Sequence, residues 1–120
     1  MRFIQEFGYT VKTGDDEAHQ RWLIDNDAAL KASMPPGMTY IGTFAVVFSS
    51  EKGAGAYKAL FGLDSYGALD AAAAANKDSD SAYGRLVRGI SRFWDLDHAA
   101  GWSNVLLKDV LDATVWDAKG

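Results

Sequence analysis

A chain of 120 residues with two histidines, no cysteine and a net charge of −4 excludes disulfides, thiolate metal sites and cysteine nucleophiles, and it argues against a binder of phosphate backbones. At this length one domain, residues 1–120, can bury about two-thirds of its unfolded surface without covalent staples. No apolar run reaches the length of a membrane span, and the opening MRFIQEFGYT carries Glu6 inside its apolar region, unlike a secretory leader; the expectation is a cytoplasmic protein that binds neither nucleic acid nor membrane.

Residues 2–11, RFIQEFGYTV, predict a strand with Phe3, Phe7, Tyr9 and Val11 on one face. TGDDE then announces a helix: Thr13 and Asp16 have capping-box spacing, and the three acids suit the positive end of the helix dipole. The helix is expected to run to about Ser33, where MPPG stops it. TYIGTFAVVFSS predicts a second strand, with Tyr40, Phe44, Val46 and Phe48 on one side and Ile41, Ala45 and Val47 on the other. EKGAG reads as a hairpin turn, and AYKALFGL as a third strand that aligns Tyr57, Ala59, Phe61 and Leu63. The GAG at 53–55 lacks the strand–glycine–helix setting of a nucleotide loop.

Asp64 or Ser65 can cap a helix over SYGALDAAAAAN, and after the KDSDS interruption Asp80 or Ser81 can cap another from about Ala82 to Trp94. In the latter, Tyr83, Leu86, Val87, Ile90, Phe93 and Trp94 share one face, while Arg85, Arg88 and Arg92 line the other as a solvated face or, alternatively, an anion patch. Gly84 and Gly89 flank the apolar face, where close approach to a neighbouring helix explains them. The final strand is VLLKDVLDATVW.

The order β-α-β-β-α-β, with the second helical region broken in two, predicts a ferredoxin-like α+β fold with a four-stranded antiparallel sheet. The chain resembles the dimeric α/β-barrel superfamily in its length, in the strand entering through YTVKTGDDE, in the central hairpin and in the long final strand. That resemblance is topological and carries over no catalytic residue. It implies that two sheets pair face to face in a homodimer, with the helices outside. Strands apolar on both faces agree, because helices on one side cover only one of them. The superfamily is similar across cofactor-independent monooxygenases, heme enzymes, lactone isomerases and stress-responsive proteins.

On the first helix, at about 100° per residue, Glu17, Arg21, Asp25, Asp27 and Lys31 fall on one arc. The opposite arc holds Trp22, Leu23, Ala29, Leu30 and Met34, together with His19, Asn26 and Ser33 seven residues apart. A polar line on the sheet-facing side needs partners, since each unpaired buried polar group costs about 1–3 kcal/mol. Two readings stay open: local satisfaction, with Ser33 bonding back to a helical carbonyl, or the lining of a pocket. In RFWDLDHAAGWS, Trp94 is a core anchor. His98 and Trp102 follow no periodicity, so Trp102 is either a plug over the open end of the core or part of a lid.

The leading reading is a homodimer that binds a small, mostly apolar molecule in each subunit between helices and sheet. Trp22, Tyr40, Phe44, Tyr57, Phe61 and Trp102 are its candidate walls, and His19, Asn26, Ser33 and His98 its polar contacts. A second reading is a cofactor-independent monooxygenase or isomerase acting on a phenolic or polyketide-like substrate. There His19 or His98 removes a proton and Asn26 orients the oxyanion. A third is a structural or interaction protein with a filled core. No cofactor is expected, and two histidines with distant carboxylates make no metal signature. Glu6, Asp109 and Asp112 are either exposed strand charges or, if buried, candidate general bases.

Overall fold

The alternation Phe3, Gln5, Phe7, Tyr9 builds a central strand, β1 (Phe3–Tyr9). It pairs antiparallel with β3 (Tyr57–Leu63) on one side and β4 (Trp102–Lys108) on the other. β2 (Met38–Ala45) adds outside β3, giving the order β2-β3-β1-β4. Three helices, α1 (Asp16–Ala32), α2 (Ala68–Lys77) and α3 (Ala82–Ser91), complete the β-α-β-β-α-β order with its broken second helical region. This is the ferredoxin-like α+β architecture. The computed structural model describes residues 2–50, 55–78, 80–97 and 102–111.

Helix boundaries follow local chemistry, with departures from expectation. α1 starts after Asp15, and neither Thr13 nor Asp15 caps it through a side chain. α2 begins at Ala68 behind a turn in which the Ala68 amide donates to Ser65 O (3.2 Å); Gly67 holds the cap position, so Asp64 and Ser65 do not cap by side chain. At α3 the expectation holds: the Ser81 hydroxyl accepts from the Gly84 amide at 2.9 Å. α3 ends at Ser91, three residues before Trp94, which instead bridges to Val11. β2 stops at Ala45, leaving Val47 and Phe48 in solvent, and β4 runs from Trp102, earlier than expected, only to Lys108, where a turn at 110–111 ends it short of the expected strand; residues 112–116 of that strand lie outside the described residues.

One irregularity decides which side chains face the helices. Tyr40 pairs with Phe61, but Gly42 pairs with Leu60, so Ile41 is an extra residue and the strand bulges. A bulge shifts the in–out parity of everything that follows it. Thr43 (opposite Ala59) and Ala45 (opposite Tyr57) therefore share the inner face with Tyr40, whereas Phe44, opposite Lys58, turns outward. The expectation that Tyr40 and Phe44 share a side is corrected by this bulge.

The inner face packs as two clusters. One joins Phe3, Met38 and Leu63 to Ala68 and Ala72 of α2; the other joins Tyr9, Val11 and Ala59 to Phe93, with Trp22 and Ile90 against it. Phe61 touches both. The outer face carries Ile4, Leu60, Val105, Leu107 and Phe44 around an ion pair, Lys58 Nζ to Glu6 Oε1 at 3.1 Å.

Candidate functional site

Where the two clusters meet, the sheet and the helices do not close on each other. A cavity of about 200 Å³ lies between α1, α3 and the inner face. β1 supplies Phe7 and Tyr9, β3 supplies Ala59 and Phe61, and β2 supplies Tyr40 and Thr43. α1 contributes Trp22, Leu23 and Leu30 from its charge-free arc, and α3 contributes Tyr83, Val87 and Ile90 from its apolar stripe. Both helices use the face that their 3.6-residue periodicity marks as apolar. Part of its boundary is open to solvent, so it is a recess between helices and sheet that a ligand could enter.

At one end of the cavity wall stands a buried polar pair. His19 has no exposed surface, and its Nε2 shares a 2.6 Å hydrogen bond with the Tyr9 hydroxyl. The imidazole also packs against Tyr57 (ring centroids 4.5 Å) and edge-on to Phe93 (5.7 Å). Tyr57 in turn donates its hydroxyl to Asp16 Oδ1 at 2.7 Å. Among the described residues His19 Nδ1 has no hydrogen-bond partner. A doubly protonated ring would leave an N–H unmet there, and burial likewise pushes the imidazole pKa below its ordinary value, with Asp16 opposing the shift. Burial raises the Tyr9 phenol, with smaller contributions from Tyr40 and Tyr57, so the pair is neutral and hydrogen-bonded at neutral pH.

Two further polar pairs stand on the wall, while the Trp94 Nε1–H, also part of the lining, has no partner among the described residues. Tyr40 and Thr43 hydroxyls meet at 2.6 Å, and the Gln5 amide donates to Asn104 Oδ1 at 3.0 Å. Among the described residues no group of three or more His, Asp or Glu side chains is arranged to hold a metal ion.

The residues singled out from the sequence divide accordingly. Trp22, Tyr40 and Phe61 line the cavity. His19 faces the sheet but stands behind Tyr9, outside the lining. Asn26 is committed to its own helix, donating Nδ2–H to Trp22 O at 2.8 Å. Ser33 Oγ is buried at the helix end without a partner among the described residues and is not part of the cavity lining, so its expected bond back to a helical carbonyl is not made; its amide bonds to Leu30 O. Tyr57 covers His19 rather than the cavity. Phe44 is on the far face of the sheet because of the bulge. Trp102 lies over Phe7 (5.6 Å) and is 60% exposed. His98 and Asp112 lie outside the described residues. Glu6 is paired with Lys58, and Asp109 is exposed.

No protein-family model and no curated protein matches the sequence. Solved structures do match its fold. A NIPSNAP family protein from Agrobacterium tumefaciens aligns with a TM-score of 0.64 at 12% identity, covering 97% of this chain and 100% of that one. A dimeric ferredoxin-like protein of unknown function from Jannaschia sp. aligns at 0.63 and 16%, covering 91% and 100%. An antibiotic-biosynthesis-monooxygenase-like protein from Nitrosomonas europaea aligns at 0.57 and 12%, covering 90% and 98%. The chain has the ferredoxin-like fold of these proteins. The topological resemblance to the dimeric α/β-barrel superfamily holds at the level of fold.

Most of the lining escaped the sequence reading, among it Tyr9, Thr43, Ala59, Trp94 and the stripe Tyr83–Val87–Ile90. The stripe was legible as a packing face, but periodicity cannot tell packing from lining. Thr43 had a usable signal. A glycine inside a strand pattern, here Gly42, marks a bulge, and a bulge at Ile41 turns Thr43 inward.

Proposed function

We propose that this chain binds a small, largely apolar molecule, about the size of one substituted ring, between α1, α3 and the sheet, and that it works as a homodimer. The cavity carries the reading. A dry apolar space of about 150 Å³ admits benzene, and here about 200 Å³ is walled mainly by aromatic and aliphatic side chains with few polar groups. A solidly filled core, the alternative for a purely structural protein, offers no such space. The homodimer is supported by the apolar outer face of the sheet and by the dimeric ferredoxin-like neighbour.

The test is to fill the space. Ala59 is buried on its floor, and Ala59→Leu puts three more carbons into it. We expect single-ring probes such as toluene to shift backbone amide signals of α1 and α3 in the wild-type chain. Ala59→Leu is expected to abolish those shifts while the melting temperature stays level or rises, as for other cavity-filling changes worth about 0.5–2 kcal/mol. Toluene binding undiminished by the substitution would refute the reading.

A catalytic version rests on the Tyr9–His19 hydrogen bond beside the cavity. In it Tyr9 takes a proton from a phenolic substrate as its own passes to neutral His19, and His19→Gln ends turnover in assays supplied with molecular oxygen but no metal or flavin. Turnover kept in full by that variant would dismiss it.

A further inference from the structure

Given the ligand-binding reading above, we propose that Tyr40 and Thr43 form the oxygen-recognition site of the cavity. The ligand is then a single-ring compound bearing one hydrogen-bond-accepting oxygen, a ketone, aldehyde or phenol, and it enters between α1 and the edge strand β2. Three observations carry this.

The first is the route. Leu23, Tyr40 and Thr43 line the inner cavity and also a surface cleft completed by Gln20, Ile24 and Asp27. Those three side chains are the partition between interior and solvent. It runs between α1 and β2, which forms one edge of the sheet, so nothing lies beyond it in the sheet to block the way.

The second is the bulge. Without the extra residue at Ile41, strand parity would put Thr43 outside and Phe44 inside. Bulges recur where a side chain must be re-aimed near a site. Here the result is a hydroxyl, not a phenyl ring, on the inner wall, 2.6 Å from the Tyr40 hydroxyl.

The third is the count of donors. Two hydroxyls in one mutual hydrogen bond use one of their two hydrogens. Either hydroxyl can donate in that bond; with the phenol, the stronger donor, giving its hydrogen to Thr43, the Thr43 hydrogen is left for a third oxygen. Burial raises the Tyr40 phenol, which stays protonated and keeps this arrangement at neutral pH. The Gln5 amide is engaged with Asn104 and the Tyr9 hydroxyl with His19. The rival donors on the wall are the Tyr83 hydroxyl and the buried Trp94 Nε1–H, which has no partner among the described residues; neither belongs to the boundary that Tyr40 and Thr43 share with the outer cleft.

The experiment uses the intact chain and near-isosteric probe pairs: acetophenone against α-methylstyrene, and benzaldehyde against styrene, with Kd read from amide shift titrations. In the wild-type chain the carbonyl member is expected to bind about three- to tenfold tighter, the range of one net hydrogen bond. Thr43→Val, which keeps the shape and suits a strand, is expected to bring that ratio to about one. Tyr40→Phe keeps the Thr43 donor and is expected to preserve a ratio above one. A ratio unchanged in Thr43→Val, or one erased by Tyr83→Phe instead, would overturn the assignment while hydrocarbon binding still upheld the cavity as a site. Absence of binding by either member of both pairs would overturn the binding reading and this inference together.

Discussion

His19 is sealed from solvent between the Tyr9 hydroxyl and the Tyr57 and Phe93 rings, and this gives the protein a pH signature. Its folded-state pKa is depressed below 6.5 by burial, while the unfolded chain titrates near that value. Between the two, the unfolded state binds more protons, so stability rises with pH. The contribution is whole above about pH 6.5 and is lost as pH falls toward the folded pKa, with a limiting slope of about 1.4 kcal/mol per pH unit for one proton. Urea midpoints measured from about pH 8 to pH 5 are expected to decline, and His19→Gln is expected to flatten that decline. A profile the same in both proteins would remove His19 from the account. The seven-residue spacing of His19, Asn26 and Ser33 shows in the sequence that all three face inward. It does not show their partners. Tyr9 reaches His19 across ten residues of sequence, Asn26 turns back onto its own helix, and Ser33 finds none among the described residues; those are facts of tertiary packing.

At the scale of elements, the joint between α2 and α3 depends on one serine. The Ser81 hydroxyl accepts from the Gly84 amide and donates toward Ala75 O (2.6 Å) and Asp78 O (3.0 Å), tying the end of one helix to the start of the next. Gly84 is required at the same point, because a Cβ there would come within 2.6 Å of Asp78 O. Ser81→Ala is expected to cost about 1–2 kcal/mol in chemical denaturation, at the upper end for a cap. A loss under about 0.5 kcal/mol would mean that the two helices hold each other by packing alone. The break itself was readable from KDSDS, as was the cap. The glycines do mark close approaches to neighbouring helices, but to two different ones: Gly84 meets the α2 terminus, and Gly89 abuts the indole of Trp22 on α1, where a Cβ would come within 2.8 Å of Cζ2. Which neighbour a small residue admits depends on how helices are laid over a sheet. The same limit applies to β2, whose alternation was legible up to Tyr40 and misleading after Ile41, since one inserted residue reverses it.

For the whole molecule, the outer face of the sheet is the apolar surface that the helices leave uncovered. Leu107 is 45% exposed and Val105 38% exposed, with Ile4 and Leu60 beside them. If a second copy covers this face, Leu107→Lys places a charge in the interface, while in a lone subunit it alters an already wetted position and costs within about 0.5 kcal/mol. Light scattering is expected to give a dimer for the wild-type chain and a monomer of unchanged helix content for the variant. A dimer that survives the substitution would locate the contact elsewhere. The two-faced apolar strands were visible in the sequence; the Glu6–Lys58 pair among them was not, because pairing across β1 and β3 depends on register.

The bulge at Ile41 also bears on self-association. An edge strand offers a row of unmet amides and carbonyls to any extended chain that drifts past, which is how sheets grow into fibrils. On β2 that row is broken in its middle, so an added strand would run out of register after three or four residues. The kink that brings a threonine to the wall thus makes this rim a poor template for polymerisation.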